Sequence, residues 1–100
     1  MGVIHRPRVA WESARVFVAA ANADAYWWLS EMVGRHLGVM YELKLAETRL
    51  RLQLEDASYA ETAAWRARLD ELLHDHAELI PLMLQLVTET SDRLHRSTTA

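Results

Sequence analysis

Apolar residues return at every third or fourth position from Val9 almost to the end of the chain, the period of α-helices with one buried face. Between Leu29 and Leu54 the seam runs Leu29, Val33, His36, Met40, Leu43, Glu47, Leu50, Leu54. No proline lies between Arg8 and Ile80, and strong helix formers dominate, so the spacing predicts one long helix over 9–55. Asp56-Ala57-Ser58 breaks the period and predicts a turn over 56–58. Ser58-Tyr59-Ala60-Glu61 fits a capping box, with serine hydroxyl and glutamate carboxylate each holding a backbone N–H at a helix start. A second helix over 59–96 follows, its seam Trp65, Leu69, Leu72, His76, Leu79, Met83, Leu86, Thr90, Leu94. Pro81 removes a hydrogen bond inside it and predicts a kink near His76–Ile80 or a break.

Three glycines and two prolines leave little material for β-turns, so the class is all-α. Two helices of such length would each measure roughly 60 Å, whereas a compact chain of this size has a radius of gyration near 13 Å. Tyr26, Trp27, Trp28, Leu29, Met32 and Val33 occupy more than one stripe and need a second partner. Either the chain breaks at Asn22–Asp24 and near Pro81 into a compact bundle, or two hairpins pair. The continuity of the seams favours the second: a long antiparallel helical hairpin, dimerised into a four-helix bundle.

With 51% apolar and 25% charged residues, the 100-residue chain has the balance of one folded domain. A net charge of −3 argues against binding nucleic acid by phosphate neutralisation. The absence of cysteine excludes disulfides, thiolate metal sites and a thiol nucleophile. Arg6 and Arg8 ahead of Val16–Ala21 imitate a leader peptide, but the apolar stretch is short and Glu12 interrupts the basic region, so a helix start fits better. The longest charge-free run, Leu79 to Thr88, is about half of what a membrane span needs. A cytoplasmic protein is the expectation.

Folding the hairpin about its turn sets His36 against His76, and a dimer would bring four histidines into one layer, enough for zinc, iron or haem. The plainer reading has each histidine half-buried and bonded to a carbonyl or to Tyr41, Thr90 or Glu78. Glu71-Leu72-Leu73-His74 places Glu71 and His74 one turn apart, with Glu42 at the same level on the first helix. In these residues the chain is similar to the short two-helix encapsulated ferritins, a resemblance that implies an iron site built across a dimer. Gly34 and Gly38 read as a close-packing patch. Glu31–Arg35, Arg66–Asp70, Glu89–Arg93 and Asp92–Arg96 are spaced as ion pairs on solvated helix faces.

Adjacent Trp27 and Trp28 project about 100° apart and cannot serve one seam. One is expected in the core and the other at an interface formed with Tyr26, Met32 and Val33; a small apolar-ligand pocket at Trp27, Trp28 and Met32 is the weaker alternative. No nucleophile–base signature or phosphate-binding glycine loop occurs. The chain therefore reads as a non-enzymatic interaction module, an adaptor, regulator or assembly component with a protein partner and no cofactor. A metal- or haem-binding bundle is the alternative.

Overall fold

The structure is a computed structural model that describes residues 5–99. These form α1 (Arg6–Ala21), α2 (Ala25–His36), α3 (Val39–Leu54), α4 (Ser58–Asp75) and α5 (Ile80–Thr99), with a single 3-10 turn at Ala77–Leu79. The all-α class is the observed one.

The helix expected over 9–55 is divided into three. At the first break the N–H groups of Asn22 and Ala23 turn back to the carbonyls of Ala19 and Ala20. Arg49 then reaches across from α3 and donates to the carbonyls of Ala21 and Ala23 at 3.0 and 3.2 Å. The guanidinium thereby occupies the negative end of α1, where carbonyls have no partner within the helix. At the second break both Leu37 and Gly38 donate to the Val33 carbonyl, and Gly38 has φ 108°, a conformation that side chains with a Cβ disfavour. Gly38 is thus a helix terminator, and of the glycine pair only Gly34 serves close packing. The Glu42 side chain lies across Gly34, where an added Cβ would collide with it.

The turn falls close to its expected place, with α4 starting at Ser58. The capping box does not form: Ala57 is the N-cap, no side chain caps the helix, and Glu61 is buried. Near Pro81 the helix breaks rather than kinks, the second of the two expected outcomes, since α4 ends at Asp75 and α5 starts at Ile80. Pro81 is the second residue of α5, where its missing N–H has no acceptor to lose.

Helix α1 is the central strut. It packs against α4, α5, α3 and α2, while α2 also packs on α3 and α5. Its buried residues, among them Ala10, Ser13, Ala14, Ala20 and Ala21, are small enough to let neighbours approach on several sides. The apolar stretch that imitates a leader is part of this core helix. Phe17 of α1 meets Trp65 of α4 edge to face, ring centroids 5.4 Å apart. Leu29, Val33, Leu45, Leu69, Leu73 and Met83 complete the centre. The radius of gyration is 12.9 Å and the longest extent 39 Å. The breaks therefore fold the chain back on itself, and a hairpin of unbroken helices is not what the single chain forms.

Candidate functional site

Between α3 and α4 lies a buried polar chain. Thr48 Oγ1 donates to Glu61 Oε1 at 2.6 Å, and Trp65 Nε1 donates to the same Thr48 oxygen at 2.8 Å. Arg51 closes the other carboxylate oxygen of Glu61 at 3.2 Å. Every member has a partner, so this chain reads as structural and holds α3 at a fixed rotation against α4. Sequence periodicity puts Glu47 in the seam; the structure turns Thr48 inward instead and leaves Glu47 exposed beside Lys44.

The histidines do not form a core layer. His36 is the exposed last residue of α2, and His76 is exposed at the end of α4, bonded to Glu78 at 3.3 Å. Glu71 and His74 line one groove with Arg6, Arg66 and Asp70. There Arg6 donates to Asp70 at 2.9 Å and to His74 Nδ1 at 3.0 Å. Glu42 lies instead against Gly34 of α2. Among the described residues no three histidine, aspartate or glutamate side chains are placed to hold a metal ion. Likewise no described helix is long and apolar enough to cross a membrane.

The expected aromatic interface is dispersed. Tyr26 and Val33 are buried, and Met32 is half-buried. Trp28 packs against the core under Arg93, whose guanidinium carbon is 4.1 Å from the ring centroid. Trp27 alone stays open, 66% exposed, although Arg49 lies over both it and Tyr26. Aromatic clustering in the sequence thus marks mainly arginine-capped packing.

A different surface is open. Helix α3 buries Leu45 and Thr48 and half-buries Tyr41 and Leu52 on one side, while Met40, Leu43, Leu50 and Leu54 line the opposite side, 55–82% exposed. With Glu47 these outward residues alternate steps of three and four, the spacing of a helix that pairs with another helix. Val39 widens the stripe at its start. Periodicity alone finds this seam but assigns it to the interior.

A second surface lies between α1 and α4, which run antiparallel: Arg6 meets Asp70, whereas Phe17 meets Trp65. Here a groove of about 650 Å³ is lined by Trp11, Arg15, Tyr59, Thr62 and Arg66. The expected Arg66–Asp70 pair is absent because Asp70 is engaged by Arg6.

Tyr41 of α3 is a half-buried ionisable group. Burial and then the Glu71 carboxylate raise its phenol above the usual value; Arg68 opposes and Asp75 adds to the rise. No family model matches the chain, and neither the curated proteins nor the solved structures contain a match to it.

Proposed function

We propose that the protein is a non-enzymatic helical interaction module that self-associates through the outward stripe of α3. The supporting observation is the exposed row Met40, Leu43, Leu50 and Leu54 at helix-pairing spacing. Burying an aliphatic side chain of this kind removes on the order of 100 Å² from water and contributes roughly 2 kcal/mol. With Val39 the stripe offers about 500 Å², at the upper end of what a monomer leaves open. Two copies face to face would bury about 1,000 Å², the threshold for a specific pair.

Glu47 stands at the middle of the stripe, seven residues from both Met40 and Leu54. A parallel in-register pair and an antiparallel pair centred on the stripe therefore both bring two Glu47 carboxylates together, a repulsion that the aliphatic contacts on either side must offset. Pairing presents the remaining faces of two bundles to further partners.

Native mass spectrometry of the untagged protein, joined to sedimentation at micromolar concentration, tests this. A dimer is expected, and Leu50→Glu should convert it to a monomer with unchanged helicity, because Leu50 is 60% exposed within one copy. A wild-type monomer throughout the micromolar range would remove the basis for the proposal. Bound mass matching iron, zinc or haem would instead turn attention to Glu71 and His74.

A further inference from the structure

The groove between α1 and α4 has an unbalanced charge. Of its lining side chains, Arg15 and Arg66 are cationic, Trp11 and Tyr59 are aromatic, and Thr62 and Ser58 carry hydroxyls; no carboxylate faces it. Two of the neighbouring acids are already engaged. Glu12 is bonded to Arg8 at 3.3 Å and Asp70 to Arg6 at 2.9 Å. Among the described residues Arg15 and Arg66 have no ion-pair partner. Two unpaired guanidiniums beside two open rings, in a chain of net charge −3, form a local exception to the protein's own charge.

We infer that this groove binds a short acidic amphipathic helix of a partner protein, the carboxylates on Arg15 and Arg66 and an apolar side chain between Trp11 and Tyr59. The size supports a peptide. From Ser58 to Arg66 the groove follows α4 for about 12 Å at 1.5 Å per residue, the length of two helical turns and their anchors at i, i+4 and i+7. It is wide and shallow, unlike the enclosed cavities that bury small ligands. The acidic remainder of the surface repels a long polyanion, while a short helix confines its carboxylates to the cationic strip. Guanidinium and indole together suit such a segment: the first takes carboxylate in a two-pronged contact, the second buries area at little entropic cost. The groove is built from α1 and α4 and shares no residue with the α3 stripe, so this inference goes beyond the self-association proposed above.

The test uses a fluorescein-labelled helical peptide of about 12 residues, with glutamates at i, i+4 spacing beside a leucine face, and an analogue with lysines at the glutamate positions. Anisotropy gives affinity, and the indole N–H resonance of Trp11 reports location. The acidic peptide should bind and shift that resonance, with affinity falling as ionic strength rises from about 50 to about 300 mM. Arg15→Glu with Arg66→Glu should weaken binding about tenfold or more, each exposed pair being worth a few-fold and its reversal adding repulsion. Tyr59→Ala should weaken it with the fold intact, since Tyr59 is 88% exposed. Leu50→Glu should leave binding unchanged, which separates this result from failure of the dimer.

Three results would each overturn the inference: equal binding of the lysine analogue, binding indifferent to the double arginine reversal, or no binding of the acidic peptide. Inorganic phosphate producing the same Trp11 shift, with no gain from the peptide, would reduce the groove to a simple anion site and overturn it as well.

Discussion

Thr48 donates its hydroxyl hydrogen bond to Glu61, 2.6 Å away, and with the same oxygen accepts the indole N–H of Trp65 at 2.8 Å. One side chain thus satisfies two buried groups on α4, one of them a carboxylate. Removing its oxygen orphans the Trp65 indole N–H and leaves the Glu61 carboxylate with Arg51 alone. Thr48→Val, close to isosteric, is expected to destabilise the fold by about 2 kcal/mol, while Thr48→Ser keeps the oxygen and loses less. Urea unfolding followed by Trp fluorescence measures the difference, and a Val variant as stable as wild type would show that the chain contributes nothing.

Arg49 closes the joint between α1 and α2. It holds two backbone carbonyls and lies over the Tyr26 ring, 4.7 Å from its centroid. Arg49→Met preserves most of the packing but removes the donors and the charge. A loss of about 1–3 kcal/mol is expected, with Arg49→Lys intermediate, because both carbonyls are held by the single Nη1, a role an ammonium can take, whereas the planar stacking on the ring is lost. Hydrogen exchange should show the increase in opening concentrated at Ala21–Asp24.

The sequence carried the period of α3 plainly, and much less of its phase. Tyr41, Leu45, Thr48 and Leu52 are spaced as a helical stripe just as Met40, Leu43, Glu47, Leu50 and Leu54 are. A helix with apolar residues on two sides can turn either inward, and the second seam contains the larger aliphatic residues. The decision came from Thr48 and Glu61, whose partnership across two helices no local pattern reveals. On α4 and α5 the seam was legible through Trp65, Leu69, Met83, Leu86 and Thr90, all buried. It failed at Leu72, because α4 keeps the step of four from Trp65 and Leu69 to a buried Leu73, and again at His76, where the helix ends. Gly38 was hidden for another reason: a glycine reads alike in a packed helix and at positive φ.

The α1–α4 groove was less legible still. Its arginines are far apart in the chain, and Arg66 looked paired with Asp70 until Arg6, from the other end of the fold, took that carboxylate.

Ser13 and Thr90 are buried and their hydroxyls lack protein partners. An unpaired buried hydroxyl opposes folding, so Ser13→Ala and Thr90→Val should be neutral or stabilise by up to about 1 kcal/mol. Thermal unfolding reports the sign directly. A clear loss in either variant would mean that its hydroxyl is satisfied in solution by water.

The two glycines of α2 and its exit should respond differently to alanine. Gly38→Ala meets no atom within 4 Å but must hold φ 108°, a backbone cost of about 1–2 kcal/mol that no rearrangement of neighbours relieves. Gly34→Ala has ordinary helical backbone and collides only with the flexible Glu42 side chain. Its penalty should therefore be smaller, and Glu42→Ala should remove it in the double variant. Non-additivity in that pair, set against simple addition of Glu42→Ala to Gly38→Ala, separates crowding from backbone strain.

Tyr41 gives stability an alkaline limit. Burial first, then Glu71, raise its phenol above the ordinary 10.0, with Arg68 opposing and Asp75 reinforcing the rise. The folded protein therefore favours the neutral phenol more than the unfolded chain does. This contribution is complete below the unfolded pKa of about 10 and is lost as pH climbs through the higher folded value. Tyr41→Phe, which cannot ionise, should lose less stability than wild type between about pH 9 and pH 11. Urea midpoints across that window test the point: identical slopes in the two proteins would show that Tyr41 ionises as freely folded as unfolded, and that its surroundings on α3 are wetter than the packing implies.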